Sequence, residues 1–205
     1  LRNDGIKIIK PEMPDAITIP GAVAGWGLLH KEHGYMPWNE IFQPAINYAK
    51  SGIIVHERVA YDWAKNTEKL LADRDTAKIF LNNQKPFNIT ENFKNIKLSK
   101  TFETISKEGS EGFYNGWVAD DMLEKLNSIG GSHTKNDFKN SRAEWLKPIS
   151  QNYRNIKIHE CPPNGQGIVA LIILGILEHF NVKSMPKNDY IHLFCEAVKI
   201  GYFLR

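Results

Sequence analysis

The stretch that decides the fold runs from Ile149 to Leu177 and reads ISQNYRNIKIHECPPNGQGIVALIILGIL. Up to Glu160 the apolar pattern has a period of two on each side of Arg154-Asn155, which predicts a β-hairpin that turns at these two residues. In this hairpin the residues of one strand face those of the other: Ile149, Gln151 and Tyr153 on the first, and Ile156, Ile158 and Glu160 on the second. From Ile168 to Leu177 the residues are continuously apolar, but the run is about half the length that a bilayer requires, so it predicts a core helix running to about Phe180. The turn from Pro162 to Gly167 joins these two elements.

Toward the start of the chain, apolar residues recur mostly at helical spacing. Pro20-Gly21 precedes a helix marked by Trp26, Leu29 and His33, and Gly34 is predicted to end it as a glycine just after the helix C-cap. Further helical patterns are predicted after Pro37 as far as Ser51, from Val55 to Ala72, from Lys100 until Gly109, and across Val118–Ile129.

Other segments lack that spacing. Residues 81–97 are rich in Asn, Lys and Pro and are predicted to be a loop, either a connection exposed to solvent or a flexible excursion. Residues 6–9 and 16–19 are short β-branched runs that predict extended backbone. Thr134 and Asp137 have the spacing of a helix N-terminus. The sequence therefore predicts a mostly α fold with about four short strands.

A last helix is predicted from about Asn188-Asp189, still running at Arg205. Its apolar face needs a neighbour that buries it, and it is formed by Leu193, Ala197, Ile200 and Leu204. We therefore expect the chain to be a fragment of a longer protein, with a helical region over about residues 20–145 followed by the hairpin and core helices over about 146–205.

The composition excludes several classes of protein. Hydrophobic residues make up 42% and charged residues 24% of the 205 residues, as in ordinary soluble globular proteins. The formal net charge is only +3, with 26 basic residues interleaved among 23 acidic ones. No basic stripe of the kind that binds nucleic acid is present, and no membrane-spanning run is present.

The thiols and imidazoles do not form a recognisable metal motif. Cys161 and Cys195 fit neither a disulfide framework nor a zinc site, so we predict free, buried thiols. His30 and His33 share a helix three residues apart, which permits a metal site geometrically. Because carboxylates and thiols are not placed near them in the pattern, a solvated helix face is the preferred interpretation.

Four groups of motifs, in order along the chain, resemble the large-subunit portion of the γ-glutamyltranspeptidase family. The first group comprises residues 20–26, 33–38 and 44–49, and the second comprises Gly112-Phe113-Tyr114-Asn115-Gly116, Gly130-Gly131 and Asp137. The third group comprises Trp145, Pro148, Tyr153-Arg154 and residues 162–167, and the fourth comprises His192 and Glu196-Ala197. The sequence motif Asn-Gly-Gln-Gly at residues 164–167, and a tryptophan at position 26 after the Pro-Gly turn, resemble those of the γ-glutamyltransferase-related branch of the family. At the far end Phe203-Leu204-Arg205 replaces the family's Ala-Asp-Arg, so that acidic group is absent.

The resemblance implies a fragment of an αββα N-terminal-nucleophile hydrolase. Family members cut their own chain and expose a threonine whose hydroxyl attacks a γ-glutamyl amide, with its own α-amine as the base. Backbone N–H groups stabilise the oxyanion, and water or an amino acid then takes the acyl group. No metal or organic cofactor is implied. The implied partners are a small subunit that carries the nucleophile and a small γ-glutamyl substrate.

The resemblance places the nucleophile outside this chain, so no catalytic residue is predicted within it. Thr18, Thr101, Thr104 and Thr134 do not occupy the matching position and are interpreted as strand, helix or cap residues. Arg2 is not in the Arg-x-x-Pro setting of the arginine that binds the substrate carboxylate. The candidate substrate-binding residues are those of the turn, Asn164, Gly165, Gln166 and Gly167, since glycine permits close approach of a backbone. A turn that merely starts the following helix is the favoured alternative. In either case Gly165 or Gly167 is predicted to have positive φ or to lie against another backbone.

Other functional interpretations stay open at the level of sequence. A related acylase and a non-catalytic helical interaction module are the alternatives to a γ-glutamyl transferase or hydrolase. Neither nucleic acid nor a membrane is expected as a partner, and self-association into a homo-oligomer is left open. A soluble, cytoplasmic protein is slightly favoured, although any signal would lie upstream of residue 1.

Overall fold

A computed structural model describes residues 7–10, 13–163 and 165–205 of the chain. Helix predominates and the strands are short, which confirms the predicted fold class. The chain divides into two compact units, Leu1–Ala143 and Glu144–Arg205.

The first unit is mainly helical. Its helices are α1 (Ala22–His33), α2 (Trp38–Ile41), α3 (Gln43–Ser51), α4 (Glu57–Lys65), α5 (Thr67–Leu71), α6 (Arg74–Phe80), α7 (Ile96–Glu108), α8 (Glu111–Tyr114), α9 (Trp117–Ser128) and α10 (Lys135–Lys139). Between them β1 (Ile53–Ile54) pairs antiparallel with β2 (Asn92–Phe93).

The core of this unit lies where α1, α3, α7, α8 and α9 meet. Its buried members on those helices include Val23, Ile46, Ile105, Phe113, Val118 and Leu126, and Phe138 of α10 joins them. Tyr114 is also buried, and its hydroxyl donates to the Pro20 carbonyl over 2.6 Å and accepts from the Ala24 N–H over 3.1 Å. Phe113 and Tyr114 are therefore packing residues of this core.

The segment from Leu81 to Asn95 is irregular apart from β2, largely as predicted. It is nevertheless held in place by contacts with Trp63 of α4. The centroid of the Trp63 ring lies 5.3 Å from that of Phe87 and 4.9 Å from that of Phe93. Phe80 of α6 stacks on Phe93 at 5.9 Å. These aromatic contacts anchor the connection to the helices on either side.

The helices between Val55 and Phe80 differ from the prediction. The pattern from Val55 to Ala72 is broken at Asn66, which separates α4 from α5, and Val55 itself is buried just before α4. Helix α6 was not predicted at all. It has only seven residues, too few for a clear apolar repeat, and it depends on the Asp73 side chain, which caps it by accepting from the N–H groups of Asp75 and Thr76.

The two β-branched runs near the start form no strand in the part of the chain that the structure describes. Ala16 ends a short 3-10 helix, and Ile17 is extended but pairs with no strand. The Ile17 carbonyl instead accepts a hydrogen bond from His133 Nε2 over 2.8 Å. A side chain therefore takes the place of a neighbouring strand. Residue 6 lies outside the described residues.

Gly34 follows α1 as predicted, but not for the predicted reason. Its φ is −76° and its ψ 131°, so it does not adopt the left-handed conformation of a glycine after a C-cap. A Cβ on Gly34 would lie 2.6 Å from the His30 carbonyl oxygen. The glycine is required by this close approach. Gly52 and Gly130, in contrast, do have positive φ, 92° and 88°.

The second unit contains β3 (Ile149–Tyr153), β4 (Ile156–Glu160), α11 (Gly167–Leu177) and α12 (Lys187–Phe203). Strands β3 and β4 pair antiparallel in the predicted register, with Ile149 opposite Glu160 and Tyr153 opposite Ile156. Arg154 and Asn155 have φ of 51° and 67°, the conformation of a two-residue hairpin turn of type I′.

The tip of this hairpin is fastened to the end of α11. The Arg154 N–H donates to Glu178 Oε2 over 2.9 Å, and its guanidinium donates to the Phe180 carbonyl over 2.5 Å. Helix α11 ends at Leu177 rather than near Phe180 as predicted. The Phe180 carbonyl thus accepts a hydrogen bond from the Arg154 side chain. In a longer helix it would have accepted one from a backbone N–H.

Helices α11 and α12 pack closely at a glycine. A Cβ added at Gly201 would lie 3.2 Å from side-chain atoms of both Val169 and Ile173, and Ala197 one turn earlier is fully buried. The predicted apolar face is only partly covered, because Ile200 and Leu204 are 45% and 63% exposed. Helix α12 ends at Phe203, two residues before the predicted end.

Both cysteines, Cys161 and Cys195, are free, as predicted, but they are exposed rather than buried. Cys195 lies on the side of α12 that faces away from Ala197, and Cys161 lies beyond the last residue of β4. Among the helices that the structure describes, none is both long and apolar enough to cross a membrane.

Candidate functional site

The candidate turn connects β4 to α11 and lies on the surface. Pro163, Gly165 and Gln166 are exposed, and Pro162 is half-buried. Asn164, the first of the four predicted binding residues, lies outside the described residues. The structure thus brings Gly165, Gln166 and Gly167 together at the N-terminus of α11, where the first backbone N–H groups of a helix have no intrahelical acceptor.

Gln166 is held from two sides. Its carbonyl accepts the Val169 N–H over 3.0 Å and so begins the helix. Its side-chain Oε1 accepts a hydrogen bond from the Tyr202 hydroxyl of α12 over 2.9 Å. The residues are 36 positions apart, so no local signal in the sequence indicates this bond. It fixes the orientation of the Gln166 amide relative to the turn.

The two glycines of the turn are in different situations. Gly165 has no atom within 4 Å of the place where a Cβ would be, whereas at Gly167 a Cβ would lie 2.8 Å from Glu160 Cβ and 2.6 Å from its Oε2. Neither has positive φ, so the predicted positive φ is wrong. The close approach predicted as the alternative is present at Gly167, but against the Glu160 side chain rather than a backbone.

The chemical capacity of the turn is limited to binding. It offers an amide side chain and backbone N–H groups, which can donate to a carboxylate or a carbonyl oxygen. A nucleophile with an adjacent base is not present among its described residues. The arrangement suits a supporting contact to an anionic or carbonyl group, not a covalent step.

Three of the threonines that were considered as nucleophiles make hydrogen bonds that stabilise the fold. The Thr101 hydroxyl donates to the Lys97 carbonyl, and the Thr104 hydroxyl accepts from Trp117 Nε1 over 3.0 Å. Thr134 forms a capping box with Asp137, which confirms the predicted helix start. Three of the four threonines are therefore engaged in helix or cap contacts.

The clear pKa shifts accompany caps and surface ion pairs away from this turn. The hydrogen bond from Lys125, followed by those from Thr76, lowers the pKa of Asp73 far below its usual range. Hydrogen bonds from Thr134 lower the pKa of Asp137. These causes are structural, so they do not mark a catalytic centre.

The pair His30 and His33 does not form a metal site with further ligands. His30 Nε2 hydrogen-bonds to the Met36 carbonyl over 2.8 Å, and its ring contacts Trp38 edge-on at 5.1 Å. Within residues 7–10, 13–163 and 165–205, no three His, Cys, Asp or Glu side chains are grouped so that they could hold a metal ion.

A largely apolar concave surface lies in the first unit and was not predicted as a feature. This groove has a volume of about 590 Å³, and its lining comes from α1, α2, α3, α7 and the residues that join the first three: Trp26, Leu29, His30, His33, Gly34, Trp38, Ile41, Phe42, Ala45 and Phe102. Its only signal in the sequence is the helical spacing of Trp26, Leu29 and His33. Such spacing predicts an apolar face, but not that the face would remain uncovered.

Solved structures resemble this architecture over nearly the whole chain. A γ-glutamyltranspeptidase from Helicobacter pylori superposes with a TM-score of 0.87 at 28% identity, covering 95% of this chain and 58% of that one. A cephalosporin acylase from Bacillus halodurans superposes with a TM-score of 0.90 at 30% identity, covering 98% of this chain and 39% of that one. These likenesses place the fold among the N-terminal-nucleophile hydrolases.

Similarity in sequence narrows the class. The family model described as gamma-glutamyltranspeptidase matches residues 4–205, and the chain belongs to this family. The chain is 33% identical to the glutathione hydrolase-like YwrD proenzyme of Bacillus subtilis, in an alignment that covers 93% of the chain. It is 32% identical to the glutathione hydrolase proenzyme of Escherichia coli, in an alignment that covers 89% of the chain. It spans only 37% and 32% of those relatives. The 205 residues are thus a fragment, as predicted.

Proposed function

We propose that the complete protein is a self-cleaving N-terminal-nucleophile hydrolase or transferase that acts on γ-glutamyl amides. A threonine at the N-terminus of a small subunit, outside these 205 residues, attacks the γ-glutamyl carbonyl while its own α-amine accepts the hydroxyl proton. The C–N bond of the amide breaks, the amine leaves with a proton, and an ester to the threonine remains. Water or an acceptor amine then takes the acyl group.

The observation that supports this proposal is the family membership of the chain together with its two proenzyme relatives named as glutathione hydrolases. A relative named as a proenzyme indicates processing into two subunits in that relative. A small subunit is accordingly the expected partner of this chain. The reaction as written requires no metal or organic cofactor, since the threonine supplies both nucleophile and base.

Within this mechanism the chain contributes support rather than chemistry. We propose that the turn formed by Asn164, Gly165, Gln166 and Gly167 approaches the substrate, with the Gln166 amide positioned by Tyr202. The geometry that supports this role is the exposure of Gly165 and Gln166 at the N-terminus of α11. If the turn only starts the helix, its substitution will change stability but not the kinetics of the folded enzyme.

The test uses the intact protein. On a denaturing gel we expect two fragments, and N-terminal sequencing of the smaller one should return threonine. The processed protein should release p-nitroaniline from γ-glutamyl-p-nitroanilide, and changing the identified threonine to alanine should abolish both cleavage and turnover. An intact, folded protein that neither cleaves itself nor turns over the substrate would favour a non-catalytic interaction module.

A related acylase is the second candidate, favoured by the TM-score of 0.90 to the cephalosporin acylase. The same intact protein should then be assayed with glutaryl-p-nitroanilide, which lacks the α-amine of the glutamyl group. A higher kcat/KM for the glutaryl substrate would assign the protein to the acylases, whereas preference for the γ-glutamyl substrate supports the main proposal.

Residues 1–205 produced alone should show no turnover of γ-glutamyl-p-nitroanilide. The proposed nucleophile, its amine and the small subunit are all outside the chain, so substrate contacts alone cannot supply the covalent step. The measurement is the release of p-nitroaniline by the purified chain, with the intact protein as the control. Turnover that persists through purification would show that a residue within the chain is catalytic.

A further inference from the structure

The apolar groove of the first unit exposes more large side chains than an isolated folded protein usually leaves in one place. Trp26, Leu29 and Ile41 around it are 45%, 52% and 42% exposed, while Phe42 below them is buried. Tyr48, one turn beyond Ala45 on α3, is 65% exposed. Contiguous apolar surface of this kind marks a site of contact with another molecule or segment.

The chemistry of the groove defines the kind of occupant. Among the described residues, its lining contains no Asp, Glu, Lys or Arg side chain, and the side chains in it that carry polar atoms are those of Trp26, His30, His33 and Trp38. His30 Nε2 already hydrogen-bonds to the Met36 carbonyl over 2.8 Å. The indole N–H of Trp38 is already used, because it donates to the Ile105 carbonyl over 2.7 Å. An occupant is therefore recognised by apolar packing.

The secondary structure around the groove favours a helix as occupant. The walls are the helices α1 and α2 and the start of α3, whose backbone groups are largely bonded within the helices, so an extended segment could not pair with them as an added strand. A helix can instead place residues i, i+3 or i+4, and i+7 between the walls. The wall from Trp26 to His33 rises by roughly 10 Å, which matches about two turns of a helix.

We propose that this groove holds an apolar helical segment of the same protein that lies outside these 205 residues. The length of the relatives supports this choice, because the chain spans only 37% of the Bacillus subtilis relative and 39% of the solved acylase. Most of such a polypeptide is available to cover the groove, at the high effective concentration of an intramolecular partner. The inference goes beyond the proposed activity and does not depend on it.

The first test is hydroxyl-radical footprinting of the intact protein, with oxidation measured by mass spectrometry. Trp26 and Trp117 form a matched pair, because they are the same residue type and are 45% and 47% exposed in the chain. We expect Trp26 to be oxidised at least about fivefold more slowly than Trp117. Oxidation of Trp26 in the intact protein at the rate it shows in the denatured protein would show that the groove faces solvent, and would overturn the proposal whether or not the protein hydrolyses γ-glutamyl amides.

Two further conditions of the same experiment distinguish an intramolecular segment from the other possible occupants of the groove. Protection of Trp26 that disappears on hundredfold dilution would identify a second copy of the chain and overturn the proposal. Protection that appears only when an uncharged aromatic probe such as 6-propionyl-2-dimethylaminonaphthalene is added would identify a small-molecule site and would also overturn it. Protection that is independent of concentration and of the probe supports an intramolecular segment.

A pair of substitutions in the intact protein gives an independent readout. Leu29→Asp should lower the melting temperature by several degrees, because it places a charge in a covered apolar groove. Leu71→Asp is the control, since Leu71 of α5 is 43% exposed and lies outside the groove, and it should shift the melting temperature by about a degree or less. Equal shifts for the two variants would contradict the proposal.

Discussion

At the scale of single residues, the glycines show how one residue type serves different physical requirements. Gly52 and Gly130 occupy backbone conformations that other residues rarely adopt, whereas Gly34 and Gly167 have ordinary backbone angles and are needed because other atoms lie close to them. The sequence indicates that a glycine follows a helix or precedes one. Which requirement applies depends on the neighbours that the fold supplies.

The first prediction compares the two glycines of the candidate turn. Gly167→Val should destabilise the intact protein by about 1–3 kcal/mol, because the new side chain would overlap Glu160 Cβ, which the strand holds in place. Gly165→Val should cost much less, since the space around it is open. Melting curves and self-cleavage on a denaturing gel measure both effects.

The turn's proposed role is tested with Asn164→Ala in the same assays. If the turn serves only to begin α11, this variant should lose about 1 kcal/mol of stability and keep its turnover once folded. An unchanged melting temperature with lost γ-glutamyl turnover would instead support a substrate contact. Normal folding and cleavage of Gly167→Val would contradict the close contact with Glu160.

At the scale of elements, side-chain caps mark the start of two short helices, α6 and α10. The Thr134 and Asp137 pair was predictable, because both partners of a capping box lie within four residues. The cap of α6 is equally local, since Asp73 accepts from the Thr76 N–H, but seven residues are too few for a clear apolar repeat and the helix was missed. Asp73 also binds Lys125 of α9 over 2.5 Å. That contact joins residues 52 positions apart and has no local signature.

The second prediction concerns the pH dependence of this link. Because the folded state lowers the pKa of Asp73, the ionised carboxylate stabilises the fold above its unfolded pKa of about 4, and this stabilisation is lost as the pH falls through the folded pKa. Asp73→Asn keeps an acceptor for the cap but removes the charge. Its melting temperature should lie below that of the wild type from about pH 5 to 8, and the gap should narrow below about pH 4.

The control for this experiment is Asp75→Asn. The carboxylate of Asp75 lies 3.6 Å from Lys125, farther than that of Asp73, and it does not cap the helix. Its removal should produce a smaller change in melting temperature over the same pH range. Equal and pH-independent effects of the two substitutions would show that the ion pair does not contribute to stability.

At the scale of the whole molecule, the chain has more apolar surface than its own elements cover. Helix α12 is apolar on more than one side, and Phe203 and Leu204 are 88% and 63% exposed. Large exposed apolar side chains that lie together mark a surface of contact with another segment or molecule. This surface agrees with a chain that spans about a third of its curated relatives.

The third prediction follows from that surface. Residues 1–205 produced alone should self-associate and bind a hydrophobic dye strongly. Phe203→Asp should reduce dye binding more than Ile156→Asp, because Ile156 lies singly on the hairpin while Phe203 adjoins other exposed apolar residues of α12. Light scattering and dye fluorescence measure the effects. A monodisperse monomer without dye binding would contradict the prediction.

The sequence by itself determined the elements whose signals are local. The hairpin register is an example, since a period of two around Arg154-Asn155 leaves a single pairing that keeps one face apolar. The longer helices of the first unit, such as α1, α7 and α9, follow from apolar spacing, and the family follows from motifs in order along the chain. In each case the partners that determine the structure lie within a few residues or within one recognisable pattern.

Only the tertiary structure decided the features that depend on distant neighbours. The exposure of Cys161 and Cys195, the bond between Tyr202 and Gln166, and the close approach of Gly167 to Glu160 all depend on which surfaces meet. The apolar groove is of the same kind, because helical spacing defines a face but not its neighbour. Burial is a property of the packed assembly, and a pattern along the chain specifies only what each face is able to bury.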